Sequence, residues 1–183
     1  MGWDLDVLEA IDAHRTAWAD ALATGLMDAG QPTATYVAAF VVALLFAGIF
    51  RAWGAVAAAL VATVAATAIA EWAKEVVGRP RPPGDLALVP TDGTAMPSSI
   101  AALTAGAAVP IVLWGLRRSD VVGRVIAGVL VAGTLLVGAS MVYLGAHWLS
   151  DVLVGWVLGA ALGILASRLL DRRSTLPDRA ART

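Results

Sequence analysis

Five long stretches of this chain are apolar and nearly free of charge, and that leaves few folds open to it. They run from Thr33 to Phe50, Trp53 to Val77, Ser98 to Leu116, Val121 to Leu144 and Trp148 to Leu170. Each approaches the ~20 residues that an α-helix needs to cross the hydrocarbon of a bilayer. Apolar residues make up 59% of the 183 positions and charged residues 15%, against about a quarter charged in an ordinary soluble domain. The predicted fold class is therefore an all-α membrane protein, a helical bundle of five transmembrane helices. Residues 1–170 form a single membrane domain, and 171–183 a short charged tail.

Residues 3–29 read differently. Asp4, Asp6, Glu9, Asp12, Asp20 and Asp28 rule out a span, yet Leu8, Ile11, Trp18 and Leu22 recur at helical spacing. That pattern predicts one amphipathic helix lying at the membrane interface, ended by Gly30-Gln31-Pro32. The acidic start carries no positive region, so no cleavable signal peptide is expected and internal spans direct insertion. The net charge of −1 supplies no basic field for nucleic acid. Cysteine is absent, which excludes disulfides and thiolate metal sites. No metal-ligand spacing is visible elsewhere, so no cofactor is expected.

Alternation of the spans puts Arg51, Arg117, Arg118, Arg124, Arg168, Arg172 and Arg173 on one side of the membrane. Arginine excess marks the cytoplasmic side. The expected topology is a multi-pass protein of the plasma membrane with its C-terminus inside. The N-terminal helix and the one long connection, residues 78–97, then face outward.

Three polar segments meet at that outer face. The first is Lys74-Glu-Val-Val-Gly-Arg79-Pro-Arg81-Pro82. Gly78 and the prolines break the helix and let Arg79 or Arg81 fold back toward Lys74. Lysine supplies a point charge and arginine a planar fork for phosphate oxygens, although basic residues at a helix end also snorkel to lipid head groups. The second is Met96-Pro97-Ser98-Ser99-Ile100, which opens the third span. Open amides at Ser98 and Ser99 would form an anion site at a helix N-terminus; a plain helix cap is the competing reading. The third is Ser140-Met141 through His147 to Asp151. His147 and Asp151 sit four apart, on one helix face. A carboxylate on one imidazole nitrogen leaves the other free to attack. An interfacial histidine followed by a first-turn acid is the plainer alternative, but an acid inside a membrane span is costly and points to function.

With these residues in view, the chain resembles the type-2 phosphatidic acid phosphatase superfamily, which includes lipid phosphate phosphatases and vanadium haloperoxidases. Lys74, Arg81 and Pro82 fit its Lys-x6-Arg-Pro signature. Pro97 and Ser98 fit half of Pro-Ser-Gly-His, and Ser140, His147 and Asp151 fit the spacing of Ser-Arg-x5-His-x3-Asp. The resemblance implies that His147 is a nucleophile forming a phosphohistidine and that Asp151 orients it. It implies that Lys74, Arg81, Ser98 and the Ser99 amide hold the phosphoryl oxygens, with no metal.

Two positions depart from that pattern. Ile100 stands where the superfamily has its general-acid histidine, and Met141 where it has a clamp arginine. A positioned general acid is worth about a hundred- to ten-thousand-fold in rate. Losing a charged donor to a developing oxyanion costs roughly a hundred-fold or more. An acid matters least when the leaving group is itself acidic, so a lipid diphosphate is the expected substrate, with undecaprenyl or decaprenyl diphosphate the natural candidates. The alternative is a catalytically impaired member that binds a phospholipid or prenyl phosphate as sensor, carrier or regulator; a transporter is a third reading. Glu71, which shares a face with Thr63 and Thr67, is a candidate replacement acid, but a pair with Lys74 or an arginine is the preferred reading for it. Asp92 and His14 are weaker candidates. Gly155, Gly159 and Gly163 form a small-residue ridge, suited to packing within the bundle or to a homodimer. Trp53, Trp72, Trp148 and Trp156 read as interfacial anchors or packed aromatics.

Overall fold

The computed structural model describes residues 2–30 and 33–174. Gln31, Pro32, the side chains of Arg172 and Arg173, and the tail beyond 174 lie outside the described residues. Helices account for nearly all the rest: α1 (Gly2–Asp12), α2 (Ala17–Gly30), α3 (Thr33–Phe50), α4 (Trp53–Val77), α5 (Ser99–Leu116), α6 (Val121–Tyr143) and α7 (Leu149–Ser174). Five of them, α3 to α7, are long and apolar enough to cross a membrane. They match the five apolar runs to within a residue at most ends, because each run is bounded by charge, glycine or proline. The protein is a multi-pass membrane protein.

α5 is the centre of the bundle, with α4, α6 and α7 all packed on it. In lipid no hydrophobic driving force pulls helices together, so close approach through small residues takes its place. α5 presents Ala101, Ala102, Ala105, Gly106 and Ala108, all buried, and α4 presents Ala58, Ala62, Ala66 and Ala70. A methyl group built on Gly106 would lie 3.1 Å from the Ala62 carbonyl oxygen of α4. The Gly155, Gly159 and Gly163 ridge of α7 is used in the same way against Ser98, Ala102 and Val109 respectively. The ridge is therefore covered within the bundle and is not free to form a homodimer. α3 is peripheral: it packs on α2 and α4, and its Phe46 and Phe50 reach Trp114 of α5.

The N-terminal segment differs from the expectation of one helix over 3–29. It breaks between Asp12 and Ala17 into α1 and α2. Arg15, in the break, donates to the carbonyl oxygens of Leu86 (2.6 Å) and Tyr143 (3.1 Å), so the turn closes the end of α6. The apolar stripe divides accordingly. Leu8 is buried against Ala101, Met141, Val142 and Val152, with Ile11 beside it, whereas Trp18 and Leu22 are exposed. Thus α1 is docked on protein, and α2 presents its apolar side outward.

Leucine at Gly159 should separate α5 from α7, because its Cβ would lie 2.8 Å from the Gly106 nitrogen and 2.9 Å from Ala105 Cβ. A loss of at least about 1–3 kcal/mol is expected from overpacking, seen as a lower Tm in detergent. Alanine at Gly128, which has open space around it, should leave Tm unchanged or slightly raised.

Candidate functional site

The site lies where the end of α4, the start of α5 and the α6–α7 link converge. Gly78 ends α4 in the left-handed conformation, its amide bonded to the Lys74 carbonyl. The chain then crosses to the α6–α7 link, where the Leu88 amide bonds the Leu144 carbonyl (2.9 Å) and Trp148 Nε1 bonds the Pro80 carbonyl (2.9 Å). Gly145 is at φ 68°, and a side chain there would strike the Leu86 carbonyl. Glycine is thus required twice over for the turn that delivers His147.

His147 is 5% exposed. Its Nδ1 faces Asp151 Oδ2 at 3.4 Å, and its Nε2 lies 2.9 Å from Arg81 Nη1. A guanidinium only donates, so Nε2 carries the lone pair and Nδ1 the proton. This is the tautomer that an attacking imidazole needs, with the lone pair directed at a cation. Burial pushes the His147 pKa below its ordinary value. The hydrogen bond that His147 donates to Asp151 opposes this, and the Arg81 and Lys74 charges add to the lowering. Arg81 also donates to the Ala146 carbonyl (2.7 Å) and, through Nε, to the Asp92 carbonyl (3.2 Å). Burial lowers its own pKa, offset in part by Asp151, Glu71 and Asp92.

Lys74 Nζ donates to Ser99 Oγ (2.9 Å) and to Glu71 Oε1 (3.0 Å). The first turn of α5 is only partly open. Ser98 Oγ accepts from the Ala101 amide (3.3 Å) and approaches Met141 Sδ (3.7 Å). The Ser98 amide is bonded to the Asp151 carbonyl (3.0 Å). Ser98 is therefore a buried cap joining α5 to α7, and its amide is not the open donor expected from sequence. Among the described residues, the open first-turn amides are those of Ser99 and Ile100. Ile100 is 41% exposed at the rim, and Met141 is 3% exposed in the apolar cluster with Leu8. Neither offers a proton or a charge.

One constellation has no signal in the sequence. Asp151 is fully buried, and its Oδ1 accepts from Arg79 Nη1 at 2.6 Å. The same guanidinium reaches Ser150 Oγ (2.5 Å) and Asp4 Oδ2 (2.7 Å) and lies 5.2 Å over the Trp148 ring. Asp4 in turn accepts from the Ser150 amide (3.0 Å) and hydroxyl (2.6 Å). Burial acts to raise the Asp4 pKa, but the bonds from Ser150 and Arg79 outweigh it and hold the carboxyl below its usual range. Arg79 thus does not fold toward Lys74; two carboxylates hold it. His14 does not join the site and bonds the Ala10 carbonyl of its own helix.

The arrangement brings one lone-pair nitrogen, two cations and a hydroxyl to one place, a set suited to an anion that can be attacked. A sequence profile of the PAP2 superfamily matches residues 53–175. Two solved structures are similar to the chain. One is described as the first transmembrane PAP2 type phosphatidylglycerolphosphate phosphatase from Bacillus subtilis; it is 24% identical, with 97% of this chain and 88% of that one covered at a TM-score of 0.76. The other is LpxE of Aquifex aeolicus, 25% identical, with coverages of 90% and 94% and a TM-score of 0.71. No curated protein matches the sequence significantly.

Alanine at Arg79 should leave Asp4 and Asp151 buried without their cation and cost roughly 3–5 kcal/mol. Alanine at Arg117, whose pair with Asp171 is more than half exposed on both sides, should cost about 0–1 kcal/mol. Thermal unfolding of the two variants in one detergent makes the comparison.

Proposed function

The chain belongs to the PAP2 superfamily, and on that premise we propose that it is a membrane lipid phosphatase acting on a prenyl diphosphate, such as undecaprenyl or decaprenyl diphosphate, through a phosphohistidine at His147. The observation that carries this reading is the Arg81–His147–Asp151 line, with the Nε2 lone pair facing a cation and Nδ1 facing a buried carboxylate. Nε2 attacks the terminal phosphorus. The bond to the bridging oxygen breaks, and the lipid monophosphate leaves with the electron pair. Asp151 holds the imidazole and balances the positive charge it gains. Arg81, Lys74 and the Ser99 hydroxyl and amide carry the phosphoryl oxygens, the main task in phosphoryl transfer, with Ser98 fixing the turn that presents Ser99.

Ile100 argues for the diphosphate. An alkoxide leaving from a monoester needs a proton that isoleucine does not have. A phosphate leaving group, with a second pKa of about 6, does not need it. Met141 also removes one cation from the clamp, so Arg81 and Lys74 share the charge. The described arginines Arg51, Arg117, Arg118, Arg124 and Arg168 support a cytoplasmic assignment for the end opposite the site, with the site facing outward and the C-terminus inside. Residues 1–170 serve as one membrane domain. The same two substitutions favour a second reading, a member that binds a phospholipid or prenyl phosphate without turning it over.

Phosphate release by the purified protein separates these readings. Undecaprenyl diphosphate should be hydrolysed and phosphatidic acid and phosphatidylglycerolphosphate much more slowly, with His147→Ala inactive. Equal rates on all three would remove the diphosphate preference. Binding without release above the His147→Ala background would leave the non-catalytic reading. The pH profile is a further check. His147 attacks as neutral imidazole, so activity falls as pH drops through its pKa. Because burial depresses that pKa, the acid limb of kcat/KM should lie below the ordinary value of about 6.5. Asn at Asp151 should move the limb lower still, and Gln at Arg81 should move it up.

A further inference from the structure

Hydrolysis through a phosphohistidine has a second half that Ile100 leaves without a base. After the lipid monophosphate departs, water must attack the phosphohistidine from the side the leaving group vacated. Bulk water holds its proton too tightly to be a good nucleophile until a base takes it. The carboxylates near the site differ in what they are free to do. Asp151 is fully buried behind the imidazole, with Arg79 on one oxygen and the Trp148 amide and His147 on the other. Asp4 has both oxygens engaged by Ser150 and Arg79. Asp92 touches Arg81 through its backbone carbonyl.

Glu71 stands apart from these. Its side chain is 56% exposed and its Oε1 is 3.0 Å from Lys74 Nζ. The same ammonium is 2.9 Å from the hydroxyl of Ser99, the residue beside Ile100. An ammonium has three protons; Glu71 and Ser99 take two, and the third is left for a phosphoryl oxygen. The Ser99 hydroxyl is also hydrogen-bonded to the Glu71 carboxylate, so Lys74, Ser99 and Glu71 form one cluster beside Ile100, with Glu71 its exposed member. The ion pair is built from the carboxylate, so Glu71 has no proton to give the leaving group. It does have a place to receive one.

We infer that Glu71 is the general base of the dephosphorylation step, held by Lys74 and Ser99 beside the phosphoryl group and exposed on the surface of α4. The inference rests on the phosphohistidine reading. Glu71 removes a proton from the water, the water oxygen bonds to phosphorus, and the phosphorus–Nε2 bond breaks with its electron pair returning to His147. The proton on Glu71 then passes to solvent as phosphate departs. The histidine of the superfamily pattern is thereby divided: an acidic leaving group makes the acid half dispensable, and Glu71 supplies the base half from a different helix.

The test is a rapid-quench comparison of the wild-type protein with Glu71→Gln, using undecaprenyl diphosphate labelled in its terminal phosphate. Glutamine keeps the size and the acceptor oxygen but cannot take the proton. The variant should release lipid monophosphate in a first-turnover burst and accumulate alkali-stable phosphohistidine, while its steady-state rate falls by about a hundred-fold or more. Aspartate at position 71 should restore part of the rate. Steady-state turnover equal to wild type would overturn the inference and leave a helix-surface ion pair. Loss of burst and turnover together would also overturn it, since Glu71 would then act only by holding Lys74 for binding. A wild-type protein that forms no phosphoenzyme and releases no phosphate would instead remove the phosphatase reading itself.

Discussion

A carboxylate fully buried at the start of a transmembrane helix is the constraint from which the rest of the site follows. Asp151 is 0% exposed, and a buried charge is tolerated only when it is paired and hydrogen-bonded. Its partners come from three parts of the chain: Arg79 from the long connection, His147 and Trp148 from the α6–α7 link, and Asp4 from α1 through the shared guanidinium. Arg79 sits between two carboxylates, so neither removing it nor removing α1 is neutral for the other. The docking of α1 is therefore an electrostatic requirement of the site as much as an apolar contact of Leu8. The same pairing determines which cation is free: with Arg79 committed, Arg81 is the one that faces the imidazole.

Packing in the membrane and geometry at the site are one problem. α5 and α7 approach closely because glycine on one meets alanine on the other. At the site end the same contact brings the Ser98 carbonyl over Gly155 and the Ser98 amide onto the Asp151 carbonyl. The helix-starting turn of α5 is thus indexed against the helix-starting turn of α7. Ser99 and His147 owe their relative position to the small residues through which α5 and α7 meet. Substitutions at Ile100 and Met141 leave this frame intact, since one lies at the rim and the other fills an apolar cluster with Leu8 and Val152. Neither side chain supplies a proton or a positive charge at the position it occupies.

The five spans and the three polar segments were legible in the sequence for a local reason. A bilayer demands runs of apolar residues, and a helix end or a four-residue spacing is visible without knowing the partner. His147 and Asp151 are four apart but do not share a helix face as the spacing suggested, since α7 begins at Leu149 and His147 lies in the link before it; the turn at Gly145 and the bond from the Trp148 amide to Asp151 set that pair, while Lys74, Arg81 and Ser99 border the same place because the spans alternate in direction. The tertiary structure decided where Arg79 goes. Arg79 and Arg81 are two residues apart and each is followed by proline; the burial of Asp151 and Asp4 commits Arg79 to structure and leaves Arg81 to the imidazole. The Glu71–Lys74 pair, three residues apart on α4, was legible, but the break at Arg15, the bond between the Ser98 amide and Asp151 and the contact of Lys74 with Ser99 were not. Each depends on pairing across long stretches of chain, and pairing energies in a low-dielectric interior are set by distances that no single segment encodes.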